Sequence, residues 1–208
     1  MFFHNCGQVL WMTATVAPQQ LARSVTKGDF VDLIDLHRRA AAHTRAIIDR
    51  VPGDRLEAPT PCAKWTVRDV IAHMVDNHRH LVTRAGKSAV DSAEFGPAST
   101  AFNEAFADPE VQATPFELGG VPTDGRGVVA VQFADVLVHG WDIGRSAGLD
   151  VTLPDELATA ALFVTKGFPA DLRGPDGPFD HPRAVPDDAT AGVRLVAFSG
   201  RDPQWSPA

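Results

Sequence analysis

Asp135 and His139 stand four residues apart in the stretch 128–143, the most apolar helical segment of the chain. Four residues advance a helix by roughly 400°, so the two side chains leave one face within about 40° of each other. A carboxylate buried among residues such as Val131 and Val138 is costly unless something compensates it, and coordination of a cation is one of the few standard ways. An Asp oxygen and an imidazole nitrogen at i and i+4 form the same device by which a metalloprotease helix presents two histidines. A catalytic divalent metal takes three protein ligands and keeps one position open, so a third donor must come from a facing helix. The second helix offers His73, His78 and His80. His73 and His80 share a stripe with Asn77, while His78 falls inside the apolar arc. Spacing alone leaves the third ligand open.

Each residue also has a structural reading. Asp135 and His139 could be a buried hydrogen-bonded pair, or Asp135 could bridge to an arginine, because ionisable networks also occur without function. A lone helical histidine such as His73 is more often packed or solvated than ligating. Cys62 lies just before a helix start that would lower a thiol pKa, or it is a small buried residue in a proline-flanked turn. Trp65 and Trp141 read as core or pocket wall. Asp142, three residues after His139, either orients that imidazole or pairs with Arg145 at the surface. His4, His37, His43 and His181 receive no role.

The elements that must position these groups are helical. A first helix opens near Asp29 as N-cap, carries Phe30, Leu33, Ile34, Ala41, Ile47 and Ile48 at three-four spacing, and ends at Val51-Pro52-Gly53. Thr66 with Asp69 forms a capping box for the second helix, whose arc is Val67, Val70, Ile71, Met74, Leu81 and Val82, and Gly86 ends it. Residues 87–126 read as a loop-rich crossover with one short helix over about 100–107. The third helix, 127–145, is apolar nearly all round and belongs inside a bundle. Pro154 at N1, followed by Asp155 and Glu156, opens a fourth helix that Gly167 and Pro169 close. After a Gly- and Pro-rich loop over 171–186, Asp188 or Thr190 caps a last short helix. No strand run competes. The expected class is all-α, a four-helix bundle with a long crossover and a short C-terminal helical appendage.

Composition narrows the functions. The chain has 208 residues, 44% of them apolar and 22% charged, enough for one domain that buries roughly 70% of its unfolded surface. Nineteen basic against 26 acidic residues give a net charge of -7, with no local basic stripe, which opposes nucleic acid and anionic membrane surfaces. Two cysteines, Cys6 and Cys62, cannot build a disulfide framework or a four-thiolate zinc site, so a cytoplasmic location is expected. Met1 to Ala22 lack Asp, Glu, Lys and Arg, but His4, Asn5, Gly7 and Gln8 interrupt the apolar run, and neither a signal peptide nor a membrane span fits. Residues 1–28 are expected to be a poorly ordered extension, with Met12 an alternative start, ahead of a single domain over 29–208.

Three separated motifs carry a resemblance over about residues 30–205: Thr60-Pro61-Cys62-Ala63-Lys64-Trp65-Thr66-Val67-Arg68-Asp69 running into Ile71-Ala72-His73-Met74, Asp135 to Asp142 with His139-Gly140-Trp141 inside it, and Gly200-Arg201-Asp202-Pro203-Gln204-Trp205. Together they resemble the actinobacterial metal-binding proteins related to mycothiol-dependent maleylpyruvate isomerase, in the wider DinB and YfiT-like superfamily. The resemblance implies a DinB-like four-helix bundle with one divalent metal, commonly zinc, and implies His73, Asp135 and His139 as its ligands. The isomerases carry Glu where this chain has Asp135, one methylene shorter, and a long sterol-carrier-like C-terminal domain that is not expected here, so activity on maleylpyruvate is not carried over. The expected function is a metal-dependent transferase or isomerase that uses a mycothiol-like thiol against a small electrophile. The alternatives are a non-catalytic metal-binding sensor or stress-linked module, and a metal-free bundle. A homodimer is compatible with all three.

Overall fold

The computed structural model describes residues 32–62, 64–168, 170, 173–174 and 180–207. Its helices start where a short polar side chain can take up the free N–H groups of a first turn. Asp32 accepts from the amides of Ile34 and Asp35 at the head of α1, Leu33–Ile48. Thr66 and Asp69 form the full capping box of α2, Val67–Arg84. Asp124 accepts from Gly127 N to open α5, Gly125–Ser146. Thr190 caps α7, Ala191–Phe198, which decides between the two expected caps. In α6, Asp155–Lys166, Pro154 is the N-cap, not the first helical residue. The expected cap Asp29, together with Phe30 and the extension over 1–28, lies outside the described residues.

The crossover is more ordered than its breakers imply. α3 runs over Phe95–Phe106, twelve residues, with Gly96 and Pro97 in its first turn, where a missing N–H removes no helical bond. α4, Pro109–Ala113, begins on a proline capped by Asp108. The expectation that no strand forms is corrected by an antiparallel hairpin, β1 Pro115–Leu118 with β2 Val121–Asp124. Gly119 and Gly120, at φ of 57° and 78°, supply the two positive values that a primed two-residue turn requires. In a two-stranded sheet both strands are edges, so Pro115 and Pro122 are tolerated. The described residues are thus mostly helical with one small sheet, consistent with a DinB-like helical fold.

α5 packs against α1, α2, α3 and α6. That explains why it is apolar on every side: Val128, Phe133, Val136, Leu137 and Ile143 are all fully buried. Its approach to α1 is set by glycine. A Cβ at Gly140 would stand 3.1 Å from Thr44 Cβ and closer still to Oγ1, and that hydroxyl donates to the Val136 carbonyl at 2.9 Å. Gly140 adjoins His139, so this contact also fixes how deep the site lies.

A polar chain crosses the second apolar cluster, where Phe102 stacks on Phe106. Asn103 Nδ2 donates to the Ser99 carbonyl at 2.9 Å, so its Oδ1 accepts from His37 Nδ1 at 2.8 Å. His37 Nε2 is then the acceptor for His78 Nε2–H at 3.2 Å. His37, to which the sequence pattern assigns no role, thereby ties α1 to α2 and α3. Burial lowers its pKa from 6.5 to about 4, in spite of the Asn103 hydrogen bond.

Gly140→Ala should cost about 1–3 kcal/mol in urea denaturation, whereas Gly53→Ala, with nothing within 4 Å of the added methyl, should stay within about 0.5 kcal/mol; equal costs would contradict the close approach. Between pH 6.5 and 4 the unfolded chain binds the His37 proton that the folded chain refuses, so this group's contribution is intact above 6.5 and erodes as pH falls. His37→Gln should therefore flatten the decline of unfolding free energy over that window, and parallel profiles would contradict a neutral buried imidazole.

Candidate metal centre

Two helices bring three side chains to one point. The capping box fixes the start of α2 and so sets His73 two turns in, while α5 presents Asp135 and His139 one turn apart. His139 Nε2 is 3.3 Å from Asp135 Oδ1, and His73 Nε2 is 3.8 Å from Asp135 Oδ2. The two imidazoles meet nearly edge to face, with centroids 5.2 Å apart at 82°. Trp65 covers both, at 4.8 Å from the His73 ring and 6.4 Å from the His139 ring, which makes it a wall of the site. Trp141 is buried in the core.

Behind His139 runs a ladder of charge. His139 Nδ1 lies 3.0 Å from Asp142 Oδ2. Asp142 is completely buried, and Arg201 grips both its oxygens, with NH2 to Oδ2 at 2.9 Å and Nε to Oδ1 at 3.3 Å. Of the two alternatives for Asp142, the one that orients His139 is the one present; Arg145 donates to the Trp205 carbonyl at 2.7 and 3.1 Å. Arg201 lies 59 residues from Asp142 in sequence, and no local periodicity could have paired them.

Burial on its own would raise the Asp135 carboxyl, but the adjoining His139 imidazolium overrides it and holds the group at about 2. Burial would lower His139, but the Asp135 and Asp142 carboxylates on either side raise it to about 9. Burial dominates at His73, which falls to about 4 despite the pull of Asp135. Near neutrality the metal-free ladder therefore alternates from the guanidinium to Asp142, His139 and Asp135, and ends on a neutral His73.

These groups fit a divalent cation. The donor atoms of His73, Asp135 and His139 all lie within 4.8 Å of one another, and ligands at ~2.0–2.1 Å in a tetrahedron sit about 3.3 Å apart. Asp135 Oδ2 is buried and has no hydrogen-bond partner, so an acceptor is left over, 3.8 Å from His73 Nε2. A second cluster, Cys62 with His139 and Asp142, is equally compact, but Arg201 lies against both Asp142 and the Cys62 sulfur, 3.3 Å from the latter. A cation there would meet a guanidinium. Cys62 is buried in its turn and disulfide-bonded, so it offers no thiolate to an ion and is not a reactive thiol. His78 points into the His37 pair and His80 is exposed, so neither joins the site.

Arg201→Met removes the counterion of a buried carboxylate and should destabilise the fold by about 3 kcal/mol in urea, with Arg201→Lys recovering only part because it lacks the planar fork. A loss below about 0.5 kcal/mol for the methionine variant would contradict the ladder.

No described helix is long and apolar enough to cross a membrane. No solved structure matches the chain significantly. Residues 37–118 match the family described as the mycothiol maleylpyruvate isomerase N-terminal domain. An uncharacterized protein of Mycobacterium tuberculosis strain CDC 1551 and an uncharacterized protein of strain H37Rv are each 31% identical over 182 residues, which is 82% of this chain and 98% of the relative. The matched segment contains His73 and the motif around Thr66, and the alignment to the relatives extends the likeness across most of the chain. The protein belongs to the mycothiol maleylpyruvate isomerase N-terminal domain family.

Proposed function

We propose that this chain is a metal-dependent enzyme in which His73, Asp135 and His139 hold one divalent ion, zinc by preference, and a low-molecular-weight thiol such as mycothiol is activated for attack on a small electrophile, as a transferase or isomerase. The observation that carries the reading is the Asp135 carboxylate set against two imidazoles with its Oδ2 lacking a hydrogen bond, in a chain of a mycothiol-related family. Two imidazoles and a carboxylate are the ligand types of catalytic zinc sites that keep a coordination position open. Such an ion supplies positive charge that keeps a bound thiol as thiolate near neutral pH.

The residues around it have separable tasks. Asp142 accepts from His139 Nδ1 and so turns Nε2 toward Asp135, the arrangement by which an outer carboxylate fixes a ligating imidazole. Trp65 shields one side of both rings. We read the fold as a DinB-like four-helix bundle of α1, α2, α5 and α6, one domain over 29–208. The complete charge ladder supports a second reading, in which Asp135 and His139 are a metal-free structural pair.

Protein purified without chelator should carry close to one divalent ion per chain by elemental analysis, and Asp135→Ala and His139→Ala should each lower its affinity by at least about 100-fold, beyond the loss typical of an outer partner. Equal metal content in wild type and both variants would leave the metal-free reading. Titrating the cobalt-substituted protein with mycothiol should produce a thiolate-to-metal charge-transfer band. Metal binding without that band at saturating thiol would favour a non-catalytic metal-binding module.

A further inference from the structure

Resting on the metal reading above, we propose that Asn77 is a fourth, exchangeable ligand of the cation, presented through its amide oxygen after the side-chain amide rotates. His73 Nε2, the nitrogen facing Asp135 Oδ2, also faces Asn77 Nδ2 at 3.2 Å. An amide N–H only donates, so in this arrangement His73 Nε2 carries the lone pair and accepts from Asn77. One lone pair cannot serve an amide proton and a cation together. A bound ion therefore requires this hydrogen bond to break, and it would leave the Asn77 N–H groups turned toward positive charge.

A half-turn of the amide removes the conflict. The oxygen and nitrogen of an asparagine amide are nearly the same size, so Oδ1 can take the place of Nδ2 without moving the helix. That place is 3.2 Å from His73 Nε2, close to the spacing of about 3.3 Å between two ligands of one tetrahedral zinc. His73 and Asn77 are four residues apart on α2, and Asp135 and His139 are four apart on α5. Each helix thus contributes a pair on one face, and the two pairs approach where His73 Nε2 lies 3.8 Å from Asp135 Oδ2. Asn77, like His73 and Asp135, is only partly buried, whereas His139 is buried, so solvent can reach the side of the site where Asn77 stands. A neutral amide oxygen is also the weakest donor of the four, which makes its position the one where a thiol or water exchanges.

The test is a chelator competition with Zn²⁺ and Co²⁺ on wild type, Asn77→Ala, Asn77→Asp and His73→Ala, with thermal melts to verify folding. A ligating Asn77 predicts that alanine weakens binding by about 10-fold or more, that aspartate tightens it, and that the cobalt d–d spectrum changes in the alanine variant. Tighter binding by Asn77→Ala would show that the amide only competes for His73 and would overturn the proposal. Unchanged affinity and spectrum in both Asn77 variants would overturn it as well, while the metal site itself stood by the loss in His73→Ala. Failure of wild type to bind either ion would overturn both readings.

Discussion

A carboxylate stays ionised inside a helix as apolar as α5 only if its surroundings carry compensating charge. Asp135 meets that condition through the His139 imidazolium one turn away and, more distantly, the Arg201 guanidinium. The compensation is incomplete, because one carboxylate oxygen remains without a hydrogen bond in a buried position. The rest of the site follows from this imbalance. His139 has a carboxylate on each side, His73 supplies an uncharged nitrogen, and Trp65 limits the access of water.

The same constraint explains why the chain needs its C-terminal tail. Asp142 polarises and orients His139, but it shares that imidazolium with Asp135, and Arg145 of α5 is engaged by the Trp205 carbonyl, so the second buried carboxylate needs another counterion. Arg201 comes from beyond α7 to supply it, and Arg145 binds the tail at Trp205. The short appendage after the bundle is thus mechanically coupled to the imidazole that faces the site. On the opposite side, Gly140 lets α1 and α5 approach closely beside His139. The geometry is therefore held by a polar strap behind the imidazole and a small-residue contact beside it.

What the sequence made legible was local. The Thr66 capping box and the Asp135–His139 pair depend on spacings of three and four residues, and both appear as expected. Choosing His73 over His78 and His80 needed the family resemblance, because periodicity could not distinguish them; the geometry separates them by giving His78 a different partner. Long-range pairings left no such trace. Arg201 with Asp142 and His37 with Asn103 are fixed by tertiary packing. The crossover differs from its expected loop because Gly96, Pro97, Gly119 and Gly120 look alike as breakers, yet the first two lie in a helical turn and the last two make a hairpin. The Gly-Gly pair between short β-compatible runs was the available signal for that hairpin.

The central claim is that a cation is shared by residues from α2 and α5. Anomalous diffraction from a zinc-loaded crystal, recorded on either side of the zinc absorption edge, tests it most directly. The account predicts a single strong peak bonded to His73 Nε2, Asp135 and His139 Nε2, with Asp142 still on His139 Nδ1. A map without density there, in which Asp135 and His139 remain in direct contact at full zinc saturation, would contradict it.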